Sequence, residues 1–188
     1  MNNTLKPYLQ RIDTHTSGMR CDVTPVFADA ACFNQLVADL VRPFESVAVD
    51  FVVCIDALGF ILGTAMACRL GLGIIPLRKG GKLPVATCGT EFQDYSGKTK
   101  RLEIRKDALS ANARVLLVDE WIETGAQIQA AISLIEAQGA HIQGIAAINM
   151  DSNAATLAIG KKYQVHTVWR DAAADVPGRD SGGLCSAL

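Results

Sequence analysis

Residues 115–127 read VLLVDEWIETGAQ. Four apolar residues, Val115 to Val118, precede two adjacent carboxylates, Asp119 and Glu120; Glu123, Thr124, Gly125, Ala126 and Gln127 then lead into an apolar-periodic segment. This is the pattern of a buried strand that ends on two acids and turns sharply into a helix. In a parallel sheet, ligands sit beyond the carboxyl ends of the strands. A helix N-terminus presents unpaired N–H groups and the positive end of its dipole, which suit a phosphate. Gly125 lets the backbone approach closely, and the Thr124 hydroxyl can donate a hydrogen bond. The two acids can accept from a pair of vicinal hydroxyls. The local chemistry is that of a ribose-phosphate site, with the diol on the acids and the phosphate on the loop. The plainer alternative is an ordinary strand–helix turn with a solvated acidic edge.

A second charged segment lies upstream. Between residues 78 and 106 stand Arg78, Lys79, Lys82, Lys98, Lys100, Arg101, Arg105 and Lys106, against Glu91, Asp94 and Glu103. The segment carries +5 and the rest of the chain −6. A basic arm beside an acidic pair suits a metal-chelated, phosphorylated sugar better than a nucleic acid; by charge alone it could equally be a solvated hairpin.

The elements that must carry these groups follow from periodicity. Apolar, largely β-branched runs at 47–55, 73–77, 114–118, 142–148 and 165–169 are expected as strands buried on both faces. Helical periods lie at 33–40, 60–70, 126–138 and 151–161, the third closed by Gly139 and the last opened by Asp151 as a cap. Strand–helix alternation of this kind predicts an α/β fold with a central parallel sheet flanked by helices. Residues 78–106 break the rhythm, with Gly, Pro and Thr and little apolar period; 101–105 reads as a short strand, and about 85–100 as a flexible, ligand-covering hairpin loop.

Size and composition agree. The 188 residues and 20.0 kDa fit a single domain over residues 1–188, and 49% apolar with 20% charged residues excludes disorder. A net charge of −1 argues against a surface dedicated to nucleic acid or membrane. The longest uncharged stretch, residues 137–150, is 14 residues, short of the roughly 20 that span a bilayer. The first residues lack the apolar core of a secretory signal, and the six cysteines show neither C-x-x-C nor metal-ligand spacing. A reduced, cytoplasmic chain is expected.

The strand–acid–acid–loop block resembles the signature of the type I phosphoribosyltransferases. The resemblance extends, in order and spacing, through residues 22–40, 54–84 and 95–109. These include R-K-G-G-K-L-P and L-E-I-R-K-D-A, and they are most similar to adenine phosphoribosyltransferases. The resemblance covers roughly residues 11–150 and implies a type I phosphoribosyltransferase fold with a small hood and a flexible loop. It implies transfer of phosphoribosyl from 5-phosphoribosyl 1-pyrophosphate (PRPP), carried with Mg²⁺, to a nucleobase, a purine or purine analogue, giving a nucleoside 5′-monophosphate and pyrophosphate. It implies that Asp119 and Glu120 hold the ribose diol and that Glu123, Thr124, Gly125, Ala126 and Gln127 cradle the 5′-phosphate. Pyrophosphate would fall to Asp56, Ala57, Leu58, Gly59, Arg78, Lys79 and Lys82. Tyr95, Gly97 and Lys98 belong to the flexible loop, and Met19, Arg20, Cys21 and Trp121 to the base pocket. No direct protein ligand for the metal is implied; Mg²⁺ arrives with the donor. The expected partners are PRPP, a base and a second copy of the chain in a homodimer, with no nucleic acid or membrane.

Departures from the family pattern matter as much. Leu58 stands where members carry Arg, and it has no donors for pyrophosphate. Residues 14–22, THTSGMRCD, lack the aromatic residues and prolines of the block that helps form the adenine pocket. Glu123 replaces an Ala; hypoxanthine-guanine members carry an acid there, so Glu123 is either a general acid/base toward the nucleobase or a solvent-facing acid in the first turn. Asp94, followed by Tyr95, Ser96 and Gly97, is the candidate carboxylate of the mobile loop. Trp121 either packs the strand end or stacks on a base. The loss at Leu58 motivates a rival, a non-catalytic donor-sensing protein on the same fold, and the rebuilt block at 14–22 a third possibility, an enzyme for an unusual heterocycle. Residues 172–188 read as a loose or hood-associated tail.

Overall fold

A computed structural model of the chain describes residues 6–17, 21–94 and 96–169. Its strands, in chain order, are β1 (Phe51–Ile55), β2 (Gly73–Lys79), β3 (Thr87–Gln93), β4 (Thr99–Arg105), β5 (Arg114–Val118), β6 (Trp121–Ile122), β7 (His141–Ala147), β8 (Asn149–Met150) and β9 (Val165–Thr167). Seven of them form one sheet in the order β3-β4-β2-β1-β5-β7-β9, whose run from β2 to β9 is parallel. Alternate residues of the central strands serve two separate cores. Val52, Cys54, Leu116 and Val118 face one side with Leu62 and Met66 of α4 (Leu58–Leu70), under α3 (Ala30–Val41) and the N-terminal α1 (Pro7–Gln10) and α2 (Thr24–Phe27). Val53, Ile55, Val115 and Leu117 face the other with Ile128, Ile132 and Ile135 of α5 (Ala126–Ala137) and Ile159 of α6 (Ala154–Lys162). Two-sided burial is why these strands are apolar throughout. Each buried isoleucine contributes about 1.5–3 kcal/mol of transfer free energy.

The path of the chain creates the crevice. From β1 it crosses to β2 through α4 on one face; from the adjacent β5 it crosses to β7 through α5 on the other. The two loops leave neighbouring strand ends in opposite directions, the arrangement that opens a ligand crevice in α/β sheets. At the far end the strands are clamped: the Arg114 guanidinium donates to Asp50 through Nη2 at 2.6 Å and Nε at 3.1 Å, and the Asp50 N–H donates to the Arg114 carbonyl at 2.8 Å.

Several expectations are corrected. The hairpin expected at 85–100 is present, but its arms are ordered strand rather than loop: β3 (Thr87–Gln93) pairs antiparallel along its full length with β4, which in turn pairs with the end of β2. Thr87–Gln93 has no apolar period because its order comes from the ladder. The first strand begins at Phe51 rather than residue 47. The cap of α6 is Asn153, not Asp151: Asn153 Oδ1 accepts from Ala155 N–H and Thr156 N–H, and Thr156 Oγ1 accepts from Asn153 N–H. The short strands β6 and β8 pair in parallel within what reads in sequence as loop. Gly139, at φ +79°, closes α5 as expected. Met19, Arg20, Tyr95 and residues 172–188 lie outside the described residues.

Candidate active site

Asp119 ends β5 and is buried, 6% exposed. Its Oδ1 accepts from the Glu120 N–H at 2.8 Å and its Oδ2 from Gln127 Nε2 at 3.0 Å. The first turn of α4 lies against it: a side chain at Gly59 would come within 3.2 Å of the carboxylate. The Gln127 side chain therefore orients the acid, and what Gln127 offers a phosphate is its backbone N–H. The first backbone bond of α5 runs from Gln129 N–H to the Gly125 carbonyl, so the N–H groups of Gln127 and Ile128 emerge at the helix end. Thr124 Oγ1 accepts from Ala126 N–H at 3.3 Å. Gly125 sits at φ +85°, and a Cβ there would press on Ala155 and Thr156 at 3.3 Å. Asn153 Nδ2 donates to the Glu123 carbonyl at 2.8 Å, so the cap of α6 also braces this loop.

Across the crevice, Asp56 and Ala57 join β1 to α4, whose first turn carries Leu58 and Gly59, with a cis peptide between Asp56 and Ala57. Asp56 Oδ2 accepts from Arg78 Nε at 3.1 Å, and the Arg78 guanidinium lies 5.7 Å from the Phe60 ring centroid. Asp56, Ala57, Leu58 and Lys79 line an open cleft whose other wall is Asp119, Glu120, Trp121 and Gln127, with Cys21 between. Leu58 is 37% exposed there. Lys82 lies in the turn after β2 and lines neither this cleft nor its neighbour.

The adjoining cleft brings Glu123, Thr124 and Gly125 together with Phe92 and Asp94 of the hairpin. The Asp94 Oδ1 accepts from Ser96 Oγ at 2.6 Å, Ser96 N–H at 2.8 Å and Lys98 N–H at 3.1 Å. The Ser96 hydroxyl above all holds this carboxyl below the usual carboxylate range. The side chain expected to take part in catalysis thus builds the hairpin turn, in which Gly97 takes φ +75° and Lys98 is exposed.

Asn149, Asn153 and Trp169 have no motif to mark them, and Asp151 is marked only as a helix cap, yet they support Trp121 and Glu123, which line the clefts. Asp151 Oδ1 accepts from Trp121 Nε1 at 3.2 Å and from Asn149 Nδ2 at 2.8 Å. Burial pushes the Asp151 carboxyl above its ordinary value; the two donors oppose this, and the negative Glu123 adds to it. The only sequence signal is the alternation of Asn149 and Asp151 beyond an apolar run, which acquires meaning once β8 is seen to pair with β6.

The assembled site is a buried carboxylate with a second acid beside it, a helix N-terminus with a glycine turn, and an opposing loop flanked by cations. Its chemistry suits a phosphorylated sugar, with acceptors for a diol on the acids and N–H donors for a phosphate at the helix end. Among the described residues no group of three or more His, Cys, Asp or Glu side chains is placed to hold a metal ion, and no helix is long and apolar enough to cross a membrane. Among the described residues the five cysteines form no disulfide.

Comparison with known proteins agrees with this geometry. The family model described as the phosphoribosyl transferase domain matches residues 35–176. An adenine phosphoribosyltransferase of Dinoroseobacter shibae is 42% identical over 145 residues, 76% of this chain and 80% of that protein. The crystal structure of the adenine phosphoribosyltransferase from Thermoanaerobacter pseudethanolicus superposes with a TM-score of 0.76 at 34% identity, covering 87% of this chain and 98% of the other. That of the Saccharomyces cerevisiae enzyme, complexed with an imino-altritol bisphosphate and adenine, gives 0.72 at 27% identity over 85% and 97%. With its signature loop, its sheet order and these matches in accord, the chain belongs to the phosphoribosyl transferase domain family and has the type I fold.

Proposed function

We propose that this chain is a phosphoribosyltransferase that moves the 5-phosphoribosyl group of PRPP to a nucleobase, a purine or purine analogue, releasing pyrophosphate. The observation that carries the reading is the convergence of Asp119, Glu120 and the N-terminus of α5 on one cleft with the Asp56–Gly59 loop. Asp119 and Glu120 hold the ribose hydroxyls. The N–H groups of Gln127 and Ile128, the Thr124 hydroxyl and the close backbone at Gly125 take the 5′-phosphate. Departure of pyrophosphate leaves positive charge on the ribose ring and negative charge on the leaving group. Lys79 and Arg78, with the N–H groups at the start of α4, face the charge that builds on the leaving pyrophosphate; Mg²⁺ carried in with the donor would neutralise part of that charge. Glu123 is assigned to the proton exchanged with the base, from the cleft it shares with the hairpin tip. The hairpin excludes water from the reacting carbon. Trp121 is the flat wall of the base pocket. The reading places a homodimer in the cytoplasm.

A pyrophosphate-release assay with PRPP and Mg²⁺ over a panel of bases tests this. Turnover with at least one base is expected. Donor binding by calorimetry without turnover on any base favours the sensing protein, which exposed Leu58 at the pyrophosphate loop supports. Absence of donor binding overturns both readings.

A further inference from the structure

The sequence has two tryptophans, and Trp121 and Trp169 meet beside the cleft with ring centroids 5.8 Å apart and planes inclined at 57°. Trp121 lies opposite Asn149 in the β6–β8 pair. Asp151 follows Asn149 by two residues, so strand alternation puts all three side chains on one face. There Asp151 Oδ1 receives the indole N–H and the amide of Asn149, itself 4% exposed. The indole is held at its nitrogen by a carboxylate, and the carboxylate by a buried amide. Trp121 lines both halves of the crevice, and it is the one aromatic side chain among the described residues lining the larger cleft. Residues 14–22 contain no Phe, Trp or Tyr.

We infer that Asp151 is a positioning residue for base recognition: it locks the Trp121 indole as the surface on which the acceptor heterocycle stacks, and so sets which flat bases the chain accepts. This rests on the phosphoribosyl-transfer reading above. A stacked base gains about 1–3 kcal/mol from an aromatic face, but only where the ring is held in the required plane. A tryptophan side chain turns about two bonds. Trp169 restrains one edge of this one, and Asp151 fixes its nitrogen. Without Asp151 the ring keeps its bulk and loses its orientation. The cost falls on the base and not on the donor, whose contacts lie on the neighbouring loops.

The test is steady-state kinetics on the full chain, with whichever base of the panel the unaltered protein turns over fastest. Asp151→Ala is expected to raise KM for the base about tenfold, the effect of one lost buried hydrogen bond, with kcat and donor KM little changed. Asp151→Asn keeps an acceptor for the indole and is expected to restore most of the base affinity. In a Trp121→Phe background the nitrogen is already gone, so Asp151→Ala should add nothing. With Trp169→Phe, Trp121 is the sole tryptophan emitter, and adenine titrated as probe should quench it in a manner that Asp151→Ala weakens. Loss spread equally over base KM, donor KM and kcat, or additive effects of Trp121→Phe and Asp151→Ala, would overturn the inference. If Asp151→Ala does not fold, Trp121→Phe alone decides: it keeps a ring and removes the donor, and an unchanged base KM refutes the clamp. Failure of the unaltered protein to turn over any base or to bind donor instead removes the functional reading, and this inference with it.

Discussion

The loops after β1 and β5 leave adjacent strands of one sheet, yet they are furnished differently. The β5 loop offers a buried acid oriented by Gln127, a second acid, a left-handed glycine and a hydroxyl before a 12-residue helix. The β1 loop starts a helix of 13 residues with a comparable dipole, but presents Leu58 at 37% and Ile61 at 43% exposure beside it. The Arg78 guanidinium beside it donates to Asp56 and lies over Phe60. Because Asp50 and Arg114 clamp the strands at their far ends, the contrast arises from the loop residues and not from where the strands sit. On the proposed reading, one loop supplies the anion and diol cradle, while the other, Asp56 to Gly59, carries no cation among its own residues and relies on Lys79 beside it. That reading predicts that retention of the sugar phosphate and retention of the leaving group can be separated by mutation.

The largest effect should come from the complete loop. Asp119→Asn removes the charge that accepts from the ribose hydroxyls while keeping its shape, and turnover should fall roughly a hundredfold or more, as read by pyrophosphate release. An effect below about fivefold would mean that the diol is held elsewhere. Next comes Gly125→Val. A branched side chain at φ +85° against Ala155 and Thr156 costs about 1–3 kcal/mol, and donor affinity measured by calorimetry should drop at least tenfold while the α4 loop is untouched.

The opposite loop should respond to repair. Leu58→Arg restores a bidentate donor, and pyrophosphate or donor affinity should tighten by about tenfold or less. No gain would show that Arg78 and Lys79 already supply what the loop lacks, and the comparison would lose its basis. The smallest effect concerns the shared foundation. The hydrogen bonds from Arg114, side chain before backbone, hold Asp50 at a pKa of about 2, below the ordinary value near 3.9. A depressed carboxylate stabilises above its unfolded pKa and loses that contribution as pH falls through the folded one. Asp50→Asn should thus leave activity at neutral pH unchanged and move the acid-unfolding midpoint upward. An unmoved midpoint would show that the Asp50–Arg114 pair contributes nothing to stability in acid.

The two halves of the site also differ in how far they are legible in the order of residues alone. The β5–α5 unit is legible because a two-sided apolar strand, paired acids and a glycine turn are all local patterns. The same holds for the parallel sheet, since each strand carries its own burial in its composition. The hairpin is not. Thr87–Gln93 owes its conformation to β4, and the role of Asp94 is fixed by Ser96 and Lys98 once the turn has closed. Trp121 is visible in the motif, but its restraint by Asn149 and Asp151 depends on pairing between strands of two residues each, too short to have a period. Glu123 is legible as an unusual residue; that Asn153 braces its backbone is legible only from α6.

The hairpin has one more effect, on how the protein behaves in company. β3 is the outermost strand of the seven and β9, at the other edge, has three residues. One flank of the sheet thus ends on a seven-residue strand with no further strand beside it among the described residues, a natural template for recruiting a stranger's backbone. The charges of this arm, Glu91 on the strand itself, Lys98 in the turn, and Lys100 and Arg101 on its neighbour, act as gatekeepers against edge-to-edge aggregation. Neutralising them to tune catalysis would lower the concentration at which the protein stays dispersed, so solubility and substrate handling are coupled in one hairpin.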